Sequence, residues 1–196
     1  MRRKLFASFG LLVVIACFQC ASLSPAEEGK TRPADWAQPI VIDGLPNLHR
    51  VSAGLYRGAQ PEATGIDGLK KLGIKTVVNL RSCHSDDGIL EGTGIRSVHI
   101  PMDASRPRYE EAVTFFSVVA DPKNRPVFVH CQHGADRTGA LCAIYRIAVM
   151  NWTKEKAIEE MTGGDFGFHA MFNASLVPFV RNIDIEKLEK DSGLKR

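Results

Sequence analysis

The stretch Val127-Phe-Val-His-Cys-Gln-His-Gly-Ala-Asp-Arg-Thr-Gly139 decides the reading of this chain, because an apolar run breaks there into His130-Cys131 and then, past five further residues, into Arg137-Thr138. Val127 to Val129 predict a buried strand, and Thr138-Gly-Ala-Leu-Cys-Ala-Ile-Tyr-Arg-Ile-Ala-Val149 predicts an apolar helix, which places the residues between them at a helix N-terminus. Unpaired N–H groups and the helix dipole favour an anion at such a place. A thiol beside a helix N-terminus and a guanidinium ionises well below its free value of about 8.5, and Cys131 has both neighbours. Gln132, His133, Gly134, Ala135 and Asp136 give the backbone enough length to curl with its N–H groups aimed at one central anion, and Gly134 can take the φ > 0 such a curl needs. Arg137 closes the ring with a planar fork suited to two phosphoryl oxygens and to charge spreading during in-line transfer. The implied chemistry is phosphoryl transfer to sulfur followed by hydrolysis. Thr138 places a hydroxyl where it can bond the thiolate, and His130 can orient the loop by bonding to backbone.

A cysteine and an arginine at this spacing recur by chance, so the order of strand, Gly134, Thr138 and apolar helix carries the weight. A metal centre is one alternative, since His130, Cys131, His133, Cys83 and His84 include zinc-ligand types. No Cys-x2-Cys or His-x3-His pair accompanies them and Arg137 is an unwelcome neighbour for a cation, so neither a metal nor a cofactor is expected. A phosphate-binding module without turnover is the non-enzymatic alternative.

The pattern His130-Cys131-x-x-Gly134-x-x-Arg137-Thr138-Gly139 resembles the signature of the cysteine-dependent protein tyrosine and dual-specificity phosphatases. That resemblance implies a sheet flanked by helices, with Cys131 as nucleophile. Gly54-Leu-Tyr-Arg-Gly-Ala-Gln-Pro61, Lys75-Thr-Val-Val-Asn-Leu-Arg81, Tyr145-Arg146, Asn151-Trp152 and Glu159-Glu-Met161 are similar to the bacterial periplasmic TpbA-type phosphatases and, more distantly, to plant and fungal atypical dual-specificity enzymes. The likeness runs roughly from Trp36 to Glu186. Sulfurtransferases of the rhodanese type also cradle a cysteine before a helix, but their loop is shorter.

Outward from this loop, a chain of 196 residues suits one domain with a substantial core. The balance of 25 basic against 22 acidic residues is nearly neutral, and nothing argues for a nucleic-acid stripe. Arg2-Arg-Lys4, the apolar Leu5 to Ala16 and the small and polar residues after them follow the order of a secretory signal. Val14-Ile-Ala-Cys17 also has the form of a bacterial lipobox, in which Cys17 would carry a lipid and anchor an exported, periplasmic protein to membrane. We read 1–20 as the signal, 21–35 as a polar linker and 36–190 as the domain. Within it the pattern is α/β, a single compact unit with a central sheet flanked by helices. Strands are expected at Leu48 to Val51, Leu55 to Arg57, Ile74 to Leu80 and Ser97 to Ile100. Helices are expected at Glu62 to Leu72, Tyr109 to Ala120, Thr153 to Met161 with Thr153 as cap, Met171 to Arg181, and Ile185 to Lys190.

Expelling a serine or tyrosine oxygen from phosphate calls for a proton donor, usually a carboxylic acid on a loop over the site. Pro101-Met-Asp-Ala-Ser-Arg-Pro107 is the candidate loop and Asp103 the candidate acid, 28 residues before Cys131 and close to where the family places its own. In the TpbA-type comparison the acid falls nearer Ser105, which cannot serve. Glu110 and Glu111 fit the first turn of a helix, and Asp136 is either a rival acid or a brace for the loop. Cys142, among apolar residues, reads as core. Cys83 follows a strand on the side of the nucleophile loop and is a possible redox partner for Cys131 in an oxidising compartment. Family members acting on lipids and inositol polyphosphates carry extra lysine in the loop, whereas this loop holds Asp136. The expected substrate is therefore phosphotyrosine, or phosphoserine and phosphothreonine, on a protein, with small phosphate esters and inositol phosphates second.

Overall fold

A strand that is apolar at successive positions needs cover on both faces and neighbours on both edges, and Val127–His130 has all four. It runs parallel to Leu55–Gly58 on one edge and to Thr76–Asn79 on the other, with every residue of the three strands buried. The computed structural model describes residues 32–195. The expected signal segment, Cys17 and most of the linker lie outside the described residues.

The described strands are β1 (Gln38–Pro39), β2 (His49–Arg50), β3 (Leu55–Gly58), β4 (Thr76–Asn79), β5 (Arg96–His99) and β6 (Val127–His130), in the spatial order β1-β2-β3-β6-β4-β5. β1, β2 and β3 pair antiparallel, and β3, β6, β4 and β5 are all parallel. The helices are α1 (Ile66–Lys71), α2 (Asp87–Leu90), α3 (Tyr109–Ala120), α4 (Asp136–Met150), α5 (Lys154–Gly163), α6 (Leu176–Asn182) and α7 (Ile185–Ser192). The period of two sorts the strand residues by face. Leu55, Val78, Val127 and Val129 pack with Phe115, Leu141, Met161, Leu176 and Leu188 from α3 to α7, whereas Tyr56, Val77 and Phe128 pack with Ile66, Leu69 and Leu90 from α1 and α2. Four parallel strands deliver their carboxyl ends to one edge of the sheet, the edge at which ligands bind in open α/β folds.

Several elements differ from the sequence expectation. β1 and α2, of two and four residues, are too short to leave a periodic signal. The helix expected at Glu62 to Leu72 opens as a 3-10 turn over Ala63–Gly65 before α1. α4 starts at Asp136, two residues before the predicted Thr138. The helix expected from Met171 begins only at Leu176, because His169 caps a turn through Phe172 and Asn173 that leaves Met171 and Phe172 exposed. Pro178 falls in the first turn of α6, where its missing N–H costs no helical bond. Thr153 caps α5 as expected, accepting from Lys156 N.

The packed unit includes Arg32, whose guanidinium bonds Ala37 O and Gly164 O at 2.7 and 2.6 Å and lies over Phe166. It also runs past residue 190, since Leu194 packs against the main core. α4 and α5 are joined by a buried ion pair, with Arg146 Nε and Nη2 donating to Glu160 Oε2 and Oε1 at 2.8 and 2.6 Å. Glu160 also receives Ala37 N at 2.5 Å, and Arg146 stacks on Trp152 and bonds Val51 O. Removing one partner of such a pair strands the other charge in low dielectric. Glu160→Ala is expected to cost about 3–5 kcal/mol of folding free energy, measured by urea denaturation of the purified domain.

Candidate active site

Cys131 is the first residue past β6, and α4 begins five positions later at Asp136, so the intervening turn is forced to reverse within a few residues. Gly134 makes this possible with φ of +71°. A Cβ there would also lie 2.4 Å from the Gly58 carbonyl group at the end of β3, so only glycine lets the loop close onto the sheet.

The loop's carbonyls are all engaged from outside it. Cys131 O faces His130 Nδ1 at 3.2 Å, Gln132 O receives Gln60 N at 3.2 Å, and His133 O receives Asn47 Nδ2 at 2.8 Å. Gly134 O and Ala135 O receive Arg57 Nη2 at 2.8 and 3.3 Å. Every peptide in this run is trans, and across a trans peptide plane the C=O and the following N–H point in opposite directions. Carbonyls held outward therefore turn the N–H groups of residues 132–136 inward, which is the cradle an anion needs.

Arg57 does this from a site only 1% exposed, its guanidinium 3.6 Å from the centre of the Phe166 ring. Burial pushes its pKa below the usual arginine value. Arg57 lies within the quoted motif Gly54 to Pro61, but its role was not legible there. Gln60 lies in the same motif, again with its role not legible, while Asn47 and Phe166 left no signal, being distant from the loop in sequence. His130 Nδ1 contacts the Cys131 carbonyl, and its Nε2 lies 2.6 Å from Asp86 Oδ2, a partner 44 residues away that sequence reasoning missed.

Cys131 is 1% exposed. Burial alone would raise its pKa, but the Thr138 hydroxyl, Thr138 N–H, Arg137 and Gly134 N–H together bring it below the usual thiol value. Thr138 Oγ1 is buried with no partner in full hydrogen-bond geometry, leaving the sulfur as the acceptor it serves. Arg137 Nη1 makes long bonds to Leu80 O and Met102 O, at 3.3 and 3.4 Å, which hold the fork between the β4 and β5 loops.

Asp136 braces the loop. Its Oδ1 accepts His169 N at 2.8 Å and its Oδ2 faces His169 Nδ1 at 2.9 Å, which ties the segment before α6 to the phosphate loop. His133, Asp136 and His169 are close enough to share a cation, so among the candidate metal residues only His133 recurs in the group the fold assembles. Asp103 sits beside Met102, but its carboxylate accepts Ser105 N and Oγ at 2.8 and 2.7 Å and lies 3.8 Å from Arg106 Nε. The Ser105 hydroxyl above all holds it below the usual carboxylate range, so in this conformation it is ionised. Cys83 is an exposed free thiol, and Cys142 is a core thiol whose pKa burial pushes up to about 11.

The chain matches the family described as DSP-PTPase phosphatase fused to NAD+ kinase over residues 45–175. It is 38% identical to the dual specificity protein phosphatase TpbA of Pseudomonas aeruginosa over 168 residues, which cover 85% of this chain and 75% of TpbA. The crystal structure of a cysteine-to-serine variant of P. aeruginosa TpbA in complex with pTyr superposes with a TM-score of 0.73 at 33% identity, covering 84% of this chain and all of that one. The inositol diphosphatase DSP5 of Arabidopsis thaliana is 29% identical over 126 residues, 59% of this chain and 60% of DSP5.

Arg137→Lys keeps the charge and loses the fork. We expect kcat for an aryl phosphate to fall at least about 100-fold, with a melting temperature close to that of the unmodified protein. A change below threefold would show that Arg137 does not hold the transferring group.

Proposed function

From the premise that this chain belongs to the dual-specificity protein phosphatases and is a phosphatase, we propose that its substrate is phosphotyrosine on a protein, with phosphoserine and phosphothreonine as slower substrates. The observation that carries this reading is the inward-facing N–H cradle around a thiol of lowered pKa, in a chain similar to TpbA, whose variant was solved with pTyr.

In the reaction proposed, the Cys131 thiolate attacks phosphorus in line while the N–H groups of residues 132–136 and the Arg137 fork bind the equatorial oxygens. Asp103 must leave Ser105, take up a proton and deliver it to the departing phenolate oxygen. Water then attacks the phosphocysteine, and sulfur leaves as a thiolate bonded by Thr138. Inositol phosphates are the second reading. Asp136 was expected to repel highly charged headgroups, but its carboxylate is engaged by His169 rather than left free at the loop. Relatedness to an inositol diphosphatase keeps this substrate in the test.

The test is kcat/KM of the purified protein under reducing conditions on a phosphotyrosyl peptide, a phosphoseryl peptide and an inositol polyphosphate. The phosphotyrosyl peptide should be turned over fastest, with all turnover absent in Cys131→Ser. Asp103→Asn should slow the phosphotyrosyl peptide by about 100-fold or more and an activated aryl phosphate far less. A higher kcat/KM for the inositol polyphosphate would overturn the substrate assignment. Equal slowing of both leaving groups would remove Asp103 from the role of acid.

We also propose that the protein is exported and anchored by a lipid on Cys17, from the charged and apolar order of Arg2 to Cys17. Cell fractionation should find the full-length chain with membranes and its Cys17→Ala variant released from them. Soluble periplasmic protein in both cases would reject the lipid and keep export.

A further inference from the structure

We propose that His133, Asp136 and His169 bind a zinc-like divalent transition-metal ion at the rim of the phosphate loop, and that the bound ion slows turnover. The site itself stands on geometry, and its effect on turnover rests on the phosphatase reading.

Each of the three side chains offers a ligand atom, and these atoms lie within 4.8 Å of one another. Zn–N and Zn–O bonds of about 2.0–2.2 Å place neighbouring donors of a tetrahedron roughly 3.4 Å apart. The set therefore has to draw in by about 1.4 Å at most. One pair is already close enough, with Asp136 Oδ2 2.9 Å from His169 Nδ1. His133 supplies the movement, because it is exposed and its ring meets that of His169 at 5.3 Å between centroids. Two imidazoles and a carboxylate suit zinc and its first-row neighbours. They suit magnesium and calcium poorly, since those ions take oxygen ligands. A tetrahedral ion held by three side chains keeps one position for water.

The ligands are also held from behind, as metal ligands usually are. Asp136 Oδ1 accepts His169 N at 2.8 Å, so one carboxylate oxygen is anchored while the other can turn to the ion. The His133 backbone is pinned by Asn47 Nδ2, which donates to His133 O at 2.8 Å and to Phe166 O at 2.9 Å. Arg137 follows Asp136 in the chain and is the least welcome neighbour for a cation, but its Nη1 is engaged by Leu80 O and Met102 O. Arg57 Nη2 is likewise engaged by Gly134 O and Ala135 O.

His133 and Asp136 flank Gly134 and Ala135 in the middle of the phosphate loop. An ion joining them ties that stretch to His169, on the segment whose Ser175 supports the acid loop at Ala104 O. A phosphoryl group has to enter, transfer and leave past this rim, and a cross-link over it slows the cycle.

A bare thiolate is the competing ligand for such an ion, so the experiment removes it. Cobalt(II), whose visible bands report its ligands, is titrated into the purified full chain and into its Cys131→Ser variant, and both should bind with the same affinity. His133→Ala, which deletes an exposed ring, and His169→Ala should each weaken binding by at least about tenfold. Zinc should raise the melting temperature of the unmodified protein but not of either variant. If His169→Ala proves unfolded without metal, His133→Ala alone decides. With an aryl phosphate, the zinc concentration that halves kcat/KM should rise at least about tenfold in His133→Ala, judged against that variant's own rate without metal. Absent cobalt bands, binding lost in Cys131→Ser, unchanged affinity in His133→Ala, or equal zinc inhibition of His133→Ala and the unmodified protein would each overturn the proposal. Absence of turnover in the unmodified protein would count against the phosphatase reading alone, since cobalt bands and melting temperatures do not depend on turnover.

Discussion

A peptide plane cannot present its carbonyl and its N–H to the same side, and the active site depends on that constraint. The loop from Cys131 to Asp136 becomes an anion site because something outside it claims each carbonyl. The claimants are His130, Gln60, Asn47 and Arg57. Left to itself, a short loop would turn some of its planes the other way and present oxygen to the phosphate. The fold therefore has to bring the end of β3, the segment before β2 and the loop after β4 against one turn. A parallel arrangement of β3, β6, β4 and β5 does this, because all their carboxyl ends emerge on one edge.

Holding carbonyls with a buried charged group carries a solvation cost that polar neighbours must offset. Arg57 lies on the Phe166 ring with two carbonyls before it, and among the described residues no carboxylate bonds its guanidinium directly. Burial in such a place lowers its affinity for a proton, though an arginine has range to spare at neutral pH. His130 has the opposite arrangement, with a carboxylate in contact. Both side chains meet a backbone carbonyl where water is excluded, which is where a hydrogen bond gains most. The Arg146–Glu160 pair on the far face of α4 repeats the pattern, with Ala37 N and Val51 O satisfying what remains of the two charges. Partial satisfaction at any of these places would cost more than an apolar residue would.

What could be read from sequence divides along the same line. Strand, loop and helix around Cys131 were legible because their signals are local: an apolar run, a glycine and a second apolar run. The candidate nucleophile and its arginine followed from chemistry confined to seven consecutive residues. The residues that shape the loop were not legible, since Arg57 and Asp86 lie 77 and 44 residues from what they hold. Among local signals, the apolar stretch after Met171 misled. It has helical composition, but His169 is bound to Asp136 and draws the chain that follows it into a turn. A tertiary contact there outweighs propensity. The ion pair between Arg146 and Glu160 lay within quoted motifs whose meaning only the packing of α4 on α5 supplies.

Acid and nucleophile need opposite environments, one ready to give a proton and the other stripped of it. At Cys131 the Thr138 hydroxyl and N–H, Arg137 and the Gly134 N–H favour the thiolate against burial, without substrate. At Asp103 the requirement is not met, because Ser105 and Arg106 favour its charged form. An approaching phosphate dianion changes this balance. Negative charge beside a carboxylate disfavours ionisation, and a dianion drawn to Arg137 arrives where that arginine touches Met102 O, one residue from Asp103. The loop is held at a second point, Ser175 Oγ to Ala104 O at 2.7 Å, on the segment that His169 ties to Asp136. The phosphate loop and the acid loop thus share a support, so their relative placement is set by the same short stretch of chain. For Asp103 to serve, it need only exchange the Ser105 bonds for a proton and the leaving oxygen, a rearrangement of one side chain on a loop fixed at both flanking residues.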